Sequence, residues 1–154
     1  MAAYFIDSSA LAKRYVSETG THWMQALTDP ASGNSLYVAR ITLVELVAAI
    51  SRRRKSGHLT PADAAAALSD VRADFASDYR VIEVTGALVD QAEVLADRHA
   101  LRGYDAVQLA AAIQVNDAYT AAGQPSAVTL ISADLELNAA AAAEGLGVDD
   151  PNTH

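Results

Sequence analysis

The sequence predicts an α/β fold in which a parallel sheet is covered by helices. Short apolar runs suited to buried strands alternate with helical segments along the whole chain, and this alternation is typical of parallel sheets. The chain has 154 residues, 51% of them hydrophobic, which is enough to bury one well-packed core. We therefore expect a single domain at residues 1–150 and a loose tail at 151–154.

The first 55 residues are predicted to form two strands and three helices. In order, they are a strand at 3–7, short helices at 9–15 and 21–27, a strand at 36–39 and a longer helix at 41–55. Turn-forming residues at 29–34 separate the second helix from the second strand. Ser56 and Gly57 end the third helix, because glycine readily adopts the backbone conformation that closes a helix.

The rest of the chain continues the same alternation. In order, it contains a helix that begins at Pro61, a strand at 81–84, a helix after Thr85, a long helix at 103–122, a strand at 127–131, a helix through 139–143 and a brief strand at Val148. The start at Thr60 and Pro61 is well marked, because threonine caps a helix and proline fits its first position. Gly123, Gln124 and Pro125 end the long helix.

The composition limits the classes of site and partner. There is no cysteine, so disulfides and thiolate metal sites are excluded. A formal net charge of −8 argues against adhesion to nucleic acid through a broad basic surface, although a local basic strip can still contact phosphates. The chain has no signal-peptide pattern and no apolar run of about 20 residues, so we expect a cytoplasmic protein that binds no membrane.

Two aspartates lie at the carboxyl ends of predicted strands. Asp7 ends the first strand and Asp134 follows the fourth by three residues, at the strand ends where open α/β sheets bind their ligands. Each also fits a simpler role, because an aspartate after a strand commonly forms a turn or caps the next helix. Ser132 is a second candidate for the capping role beside Asp134.

Two further acids lie in helices that are otherwise apolar. Glu45 has mostly apolar neighbours, so we expect its helix to be buried on most sides, where an unpaired carboxylate is costly. At helical spacing Glu45 shares a face with Thr42 and Arg52. Asp105 and Gln108 form a narrow polar stripe on the long helix. The alternatives are that Glu45 lies on a single exposed face and that Asp105 is favoured by the helix dipole.

The four acids are expected to meet at one edge of the sheet, because parallel strands end at the same edge. Carboxylates gathered there repel one another unless a cation lies between them. Oxygen ligands, with no cysteine and no histidine cluster, suit Mg²⁺ or Mn²⁺. Such a metal can activate water and stabilise the charge of an in-line phosphoryl displacement, and the number of ions is left open.

Basic residues are available to contact a phosphate chain. Lys13 and Arg14 lie in the first helix, and Arg52 lies on the Glu45 face of its own helix, within the basic run 52–55. A basic run at a helix end is also a common solvated feature that the helix dipole favours. The alignment of Arg52 with Glu45 makes it the strongest of the three candidates.

Four segments of the chain resemble PIN-domain ribonucleases, especially the VapC-type toxins of bacterial toxin–antitoxin pairs. These segments are residues 4–13, 42–45, 101–110 and 131–137. The set is fairly specific, because the segments occur in the family's order and cover nearly the whole chain. The resemblance implies a three-layer α/β/α fold around a mostly parallel sheet of four to five strands.

The resemblance also implies an endoribonuclease that depends on Mg²⁺ or Mn²⁺. The acids of its pocket would be Asp7, Glu45, Asp105 and Asp134, and the assisting hydroxyls would be among Ser8, Ser9 and Ser132. Asp7 and Asp105 would bind the metal directly, while the other two acids would complete the shell or orient water. Which serine faces the metal is left open. An RNA substrate, a homodimer and a cognate antitoxin are further implications of the resemblance.

Other families fit less well. A haloacid-dehalogenase-like phosphatase needs a second aspartate where Ser9 stands, and a receiver domain needs a late lysine, but none follows Lys55. The non-enzymatic alternative is a PIN-like module that binds RNA or protein without cleavage. The presence of all four acids favours the nuclease.

Overall fold

The computed structural model describes residues 1–124 and 127–154 as a parallel sheet between two layers of helices. Within these residues the sheet has five strands: β1 (Ala3–Ile6), β2 (Ser35–Ala39), β3 (Arg80–Ile82), β4 (Thr129–Ile131) and β5 (Gly147–Asp149). Their order across the sheet is β3-β2-β1-β4-β5, and every neighbouring pair is parallel. The predicted α/β/α fold with a central parallel sheet is therefore confirmed.

The helices of the described residues divide between the two faces of the sheet. They are α1 (Ser8–Tyr15), α2 (Thr21–Leu27), α3 (Arg40–Lys55), α4 (Pro61–Ser77), α5 (Gly86–His99), α6 (Gly103–Ala121) and α7 (Leu135–Ala143). Phe5 faces the core built by α5–α7, whereas Ile6, the next residue of β1, faces the core built by α1–α4. None of the helices in this part of the chain is long and apolar enough to cross a membrane.

Two strands differ by two residues at one end from the predicted bounds, for reasons of pairing, whereas β1 and β2 differ by one. β3 spans Arg80–Ile82 instead of 81–84, because Ile82 pairs with Ala39, the last residue of β2, and no partner strand continues beyond it. β4 begins at Thr129 instead of 127, because the Val128 N–H donates to Asn116 Oδ1 at 3.2 Å and not to a neighbouring strand. In both strands the bound depends on a partner residue elsewhere in the chain, Ala39 for β3 and Asn116 for β4.

The local signals for helix ends are confirmed. Thr60 Oγ1 accepts a hydrogen bond from the Asp63 N–H at 3.1 Å, and Thr85 Oγ1 accepts one from the Leu88 N–H at 3.2 Å. The long helix α6 ends at Ala121, just before Gly123, whose φ of 66° closes the helix. Pro125, the last residue of the predicted stop, lies outside the described residues.

The C-terminal residues make specific contacts. The sequence suggests a loose tail at 151–154, whereas Pro151–Thr153 form a 3-10 helix in which Pro151 is buried. The His154 ring stacks on Trp23 of α2, with 4.2 Å between ring centroids. Gly20, at a φ of 86°, permits this approach, because a Cβ there would collide with the Pro151 carbonyl oxygen. The contacts join segments about 130 residues apart, so local composition does not reveal them.

Candidate active site

Asp7 lies at the carboxyl end of β1 and is almost fully buried, with 2% of its surface exposed. It is the N-cap of α1, because its Oδ2 accepts a hydrogen bond from the Ser9 N–H at 3.2 Å. The same oxygen accepts from the hydroxyls of Ser9, at 2.5 Å, and Ser132, at 3.0 Å. Burial raises the pKa of Asp7, and these donors oppose the increase. Capping and membership of the acid cluster therefore coincide in this residue.

Two serines join the end of β1 to the end of β4. Ser9 Oγ donates to Asp7 and accepts from the Ala133 N–H at 3.0 Å, while Ser132 Oγ accepts from the Asp134 N–H at 3.1 Å. The hydroxyls of Ser9 and Ser132 are 3.3 Å apart. Ser8 makes a long contact of 3.4 Å with Asp7 Oδ1, and a hydrogen bond from Ser8 also acts to lower the pKa of Glu45. Ser9 and Ser132 thus connect β1 to β4, whereas Ser8 faces two of the acids.

Glu45 projects from α3 beside Asp7 and is half-buried. Burial raises the pKa of Glu45, and the charge of Asp7 adds to the increase, while a hydrogen bond from Gln108 opposes it. The helix α3 has one exposed face between residues 41 and 51, which carries Val44 and Ala48. The apolar residues of α3 are divided between the core and an open groove, so Glu45 lies at the boundary between them.

Asp105 lies in the first turn of α6 and is half-buried. Burial, followed by the charges of Asp134, Asp7 and Glu45, raises the pKa of Asp105 to about 6. Such mutual electrostatic effects require that the carboxylates lie near one another, since Coulomb energy falls with distance. The structure therefore brings all four predicted acids together. Arg102 is the cation that partly opposes this effect.

Asp134 combines a structural role with its place in the cluster. Its Oδ1 accepts hydrogen bonds from the backbone N–H groups of Glu136, at 2.9 Å, and Leu137, at 3.0 Å, so it is the N-cap of α7. It also lines a hollow of about 430 Å³ together with Glu45 and Asp105. The capping alternative considered for Asp134 is correct, and it does not remove Asp134 from the cluster.

The donor set of the cluster fits a hard divalent cation. All four side chains are carboxylates, and burial followed by the charges of the other three raises the pKa of Asp105. Within the described residues, no group of three or more acidic or histidine side chains is arranged to hold a metal ion. Mg²⁺ does not require three protein ligands, because it usually keeps several waters and binds through one or two carboxylates. The cluster therefore fits Mg²⁺ or Mn²⁺ by charge and by donor type.

A groove of about 690 Å³ runs beside the acids between α1 and α3, and its wall includes Ser8, Glu45 and Arg52. Arg52 lies two helical turns from Glu45, about 10 Å along the axis, and it is exposed. Lys13 also lines the groove, but it is buried, and its Nζ donates to the Thr19 carbonyl oxygen at 2.9 Å. Of these two predicted phosphate contacts, Arg52 is the more accessible.

Arg14 lies outside this groove. Its Nε donates to Asp74 Oδ2 at 3.0 Å and its guanidinium also donates to Thr28 Oγ1 at 2.6 Å. This position does not fit the phosphate contact predicted for Arg14, because an acid of α4 already neutralises its charge. Lys13 and Arg14 are neighbours in the sequence, but successive residues of a helix point in different directions. Lys13 therefore lines the groove, whereas Arg14 does not.

The sequence analysis noted Gln108 only as part of a polar stripe, and the structure gives it a definite partner. Its Nε2 donates to Glu45 Oε1 at 2.8 Å. The available signal was an amide in an otherwise apolar helix, since a buried amide needs hydrogen-bond partners. The identity of those partners depends on how α6 packs against α3.

Comparisons with known proteins give matches that cover most of the chain. The model of the PIN domain family matches residues 4–143. Ribonuclease VapC45 of Mycobacterium tuberculosis is 35% identical over 117 residues, which are 76% of this chain and 79% of the relative.

Solved structures show the same fold at lower identity. PAE2754 from Pyrobaculum aerophilum superposes with a TM-score of 0.63 at 21% identity, covering 99% of this chain and 91% of that chain. A toxin–antitoxin complex from Klebsiella pneumoniae contains a chain that superposes with a TM-score of 0.58 at 18% identity, covering 96% of this chain and 97% of that chain. These likenesses concern the arrangement of the backbone.

Proposed function

The chain belongs to the PIN domain family, and we propose that it is a metal-dependent endoribonuclease that acts as the toxin of a toxin–antitoxin pair. One observation carries the proposal. Four carboxylates, from the N-caps of α1 and α7 and from α3 and α6, lie near one another, and after burial their charges raise the pKa of Asp105. A protein gains little stability from such an arrangement, so a cation-dependent activity is its best explanation.

We assign Asp7 and Asp105 as the direct metal ligands, with Mg²⁺ or Mn²⁺ as the ion. When bound, the ion would stabilise negative charge on the phosphate and lower the pKa of a water molecule. Glu45 is placed to accept a proton from the attacking water, and Asp134 to orient the ion or its waters. The bond that breaks is a phosphodiester P–O bond, and the water oxygen forms the new bond to phosphorus. The leaving oxygen keeps the electron pair of the broken bond and takes a proton from solvent.

The remaining polar residues have supporting roles in this proposal. Ser9 and Ser132 hold the Asp7 carboxylate, because both hydroxyls donate to its Oδ2. Ser8 is the serine we assign to the metal and its waters, since its hydroxyl contacts two of the acids, Asp7 and Glu45. Arg52 contacts an RNA phosphate along the groove. Lys13 is a weaker candidate for such a contact, because it is buried and bound to the Thr19 carbonyl oxygen.

The partners follow from the family and from the relatives. A relative is a ribonuclease, and one structural neighbour belongs to a toxin–antitoxin complex, so we propose RNA as substrate and a cognate antitoxin as inhibitor. The homodimer belongs to the same proposal, with the cytoplasm as the place of action. Light scattering on the purified chain measures the number of copies, and a mass of one chain at working concentration contradicts the dimer.

Cleavage assays test the proposal directly. Wild type, purified without any partner, should cleave single-stranded RNA with Mg²⁺ or Mn²⁺ and show no cleavage in EDTA. Asp7→Asn and Asp105→Asn should each lower the rate at least about 100-fold, since even residues that only support metal ligands are commonly worth 10- to 100-fold. Asp70→Asn, on the exposed side of α4, is the matched control and should cut at the wild-type rate.

The same assays test the non-enzymatic alternative. RNA binding without cleavage, with either metal present, favours a PIN-like binding module. The nuclease proposal is contradicted if wild type is inert with both metals, or if both site variants cut as well as wild type.

A further inference from the structure

One buried amide links two of the helices that carry the acids. Gln108 lies on α6, one turn after Asp105, and none of its surface is exposed. Its Nε2 donates to Glu45 Oε1 at 2.8 Å and to Thr42 Oγ1 at 2.8 Å. Both acceptors belong to α3, more than 60 residues away in the sequence. The amide nitrogen therefore uses both of its hydrogens to bind α3.

Glu45 fixes the direction in which the amide points. An ionised carboxylate only accepts hydrogen bonds, so the nitrogen and not the oxygen of the Gln108 amide faces it. Thr42 is fully buried in the first turn of α3, three residues before Glu45 on the same face, and its hydroxyl accepts the second amide hydrogen. One oxygen of Glu45 is thereby held at a defined place.

This arrangement is unfavourable in one respect. Gln108 Oε1 is buried, and it accepts no hydrogen bond from the residues that the structure describes. An unpaired buried acceptor destabilises a fold, and an apolar side chain of similar size would avoid that penalty. Glutamine at this position is therefore poorly explained by folding alone, whereas its hydrogen bond to Glu45 serves the acid cluster.

We propose that Gln108 is a positioning residue for the reaction, which holds the Glu45 carboxylate toward the other acids, with Thr42 accepting the second hydrogen of the amide. The inference rests on the proposed function, because it takes Glu45 as a working member of the cluster. Glu45 needs such support, since its side chain has three rotatable bonds and stands beside an open groove. Gln108 acts through Glu45 and does not itself touch the substrate.

Isosteric variants separate this role from a purely structural one. Gln108→Met keeps the length of the side chain and removes the donor. It should keep the melting midpoint in EDTA at or above that of wild type. It should lower kcat for RNA about 10- to 100-fold and weaken Mn²⁺ binding, measured by calorimetry without RNA, about tenfold. KM for RNA should stay within about twofold, because the groove residues are untouched.

Two further comparisons serve as controls. Thr42→Val removes the hydroxyl and should lower kcat, whereas Thr42→Ser keeps it and should restore both kcat and Mn²⁺ affinity. Gln114→Met makes the same chemical change at an exposed position of α6 and should match wild type in every measurement.

The results distinguish this inference from the proposed function. If wild type cuts RNA and Gln108→Met cuts equally well, the positioning role is refuted and the nuclease stands. If wild type is inert, the nuclease proposal fails, and Mn²⁺ affinity still decides: a weaker affinity in Gln108→Met supports positioning, and an unchanged one refutes it. A lower melting midpoint together with unchanged Mn²⁺ affinity makes Gln108 an ordinary core residue and also refutes the inference.

Discussion

Two polar clusters adjoin α1, and they differ in how their charges are balanced. In one, Arg14 binds Asp74 at 3.0 Å, and Tyr15 donates to the same carboxylate at 2.7 Å. In the other, Asp7 and its three acidic neighbours face one another, with Arg102 as the cation that partly offsets their repulsion. The charges of the first cluster cancel within the chain, whereas the second has an excess of negative charge that a bound cation would neutralise.

Their ionisation differs in the same way. Burial raises the pKa of Tyr79 to about 12 and also raises the pKa of Tyr15, so both tyrosines stay neutral at physiological pH. The carboxyl of Asp105, with a pKa raised to about 6, titrates near physiological pH. A cluster whose charges cancel and whose groups keep their protonation state at physiological pH is typical of structural support. A cluster with excess charge and a group that titrates near physiological pH is typical of a functional site. The comparison therefore predicts opposite responses to mutation.

The largest effect is expected in the balanced cluster, on stability. Asp74→Ala leaves Arg14 partly buried without its acid, so we expect the free energy of unfolding to fall by about 2–3 kcal/mol and the melting midpoint by about 5–10 °C. Thermal melts and urea titrations measure this. Asp70→Ala, one turn earlier and exposed, is the control and should change stability by less than about 0.5 kcal/mol. Equal melts for the two variants would mean that the Arg14 network adds nothing to the fold.

A smaller effect is expected on RNA affinity, and it separates Arg52 from Arg14. Arg52→Ala should weaken binding of single-stranded RNA in EDTA about three- to tenfold and reduce the slope of log affinity against log salt by about one. Fluorescence anisotropy at several salt concentrations gives both values. Arg54→Ala changes an exposed residue of α3 outside the groove wall and should have little effect. Greater loss of affinity in Arg14→Ala than in Arg52→Ala, with folding intact, would reverse the assignment.

The smallest effect concerns the pH dependence of stability in the metal-free protein. The pKa of Asp105 rises from 3.8 to about 6 on folding, so the folded state binds its proton more tightly than the unfolded state. Protonation of Asp105 therefore stabilises the folded state. This stabilisation is fully present below about pH 4, declines as the pH rises to about 6, and is absent above it. Asp105→Asn should therefore flatten the pH profile and melt about 2–4 °C higher than wild type at pH 7.5 in EDTA.

The same melts test whether Asp105 is structural. At pH 4 the two proteins should melt together, because the wild-type carboxyl is then largely protonated in the folded state. A large drop in the midpoint of Asp105→Asn at neutral pH would assign Asp105 to the support of α6 instead of to the acid cluster.

The sequence by itself determined the features that depend on neighbouring residues. The alternation of strands and helices, the caps at Thr60 and Thr85, and the acids that follow β1 and β4 all result from local backbone preferences. The placement of Asp7 and Asp134 at one edge of the sheet also followed, because parallel strands end at the same edge. These features need no knowledge of which side chains meet. Asp105 lies on α6, which follows α5 and not a strand, so its place beside them depends on helix packing.

Only the tertiary structure decided how distant side chains pair. The strand order, the bond between Gln108 and Glu45, the contact of Ser132 with Asp7 and the stacking of His154 on Trp23 all join remote parts of the chain. The different surroundings of Arg14 and Arg52 have the same origin. Such pairs depend on the packing of whole helices against the sheet, and many combinations of partners are compatible with the same local pattern.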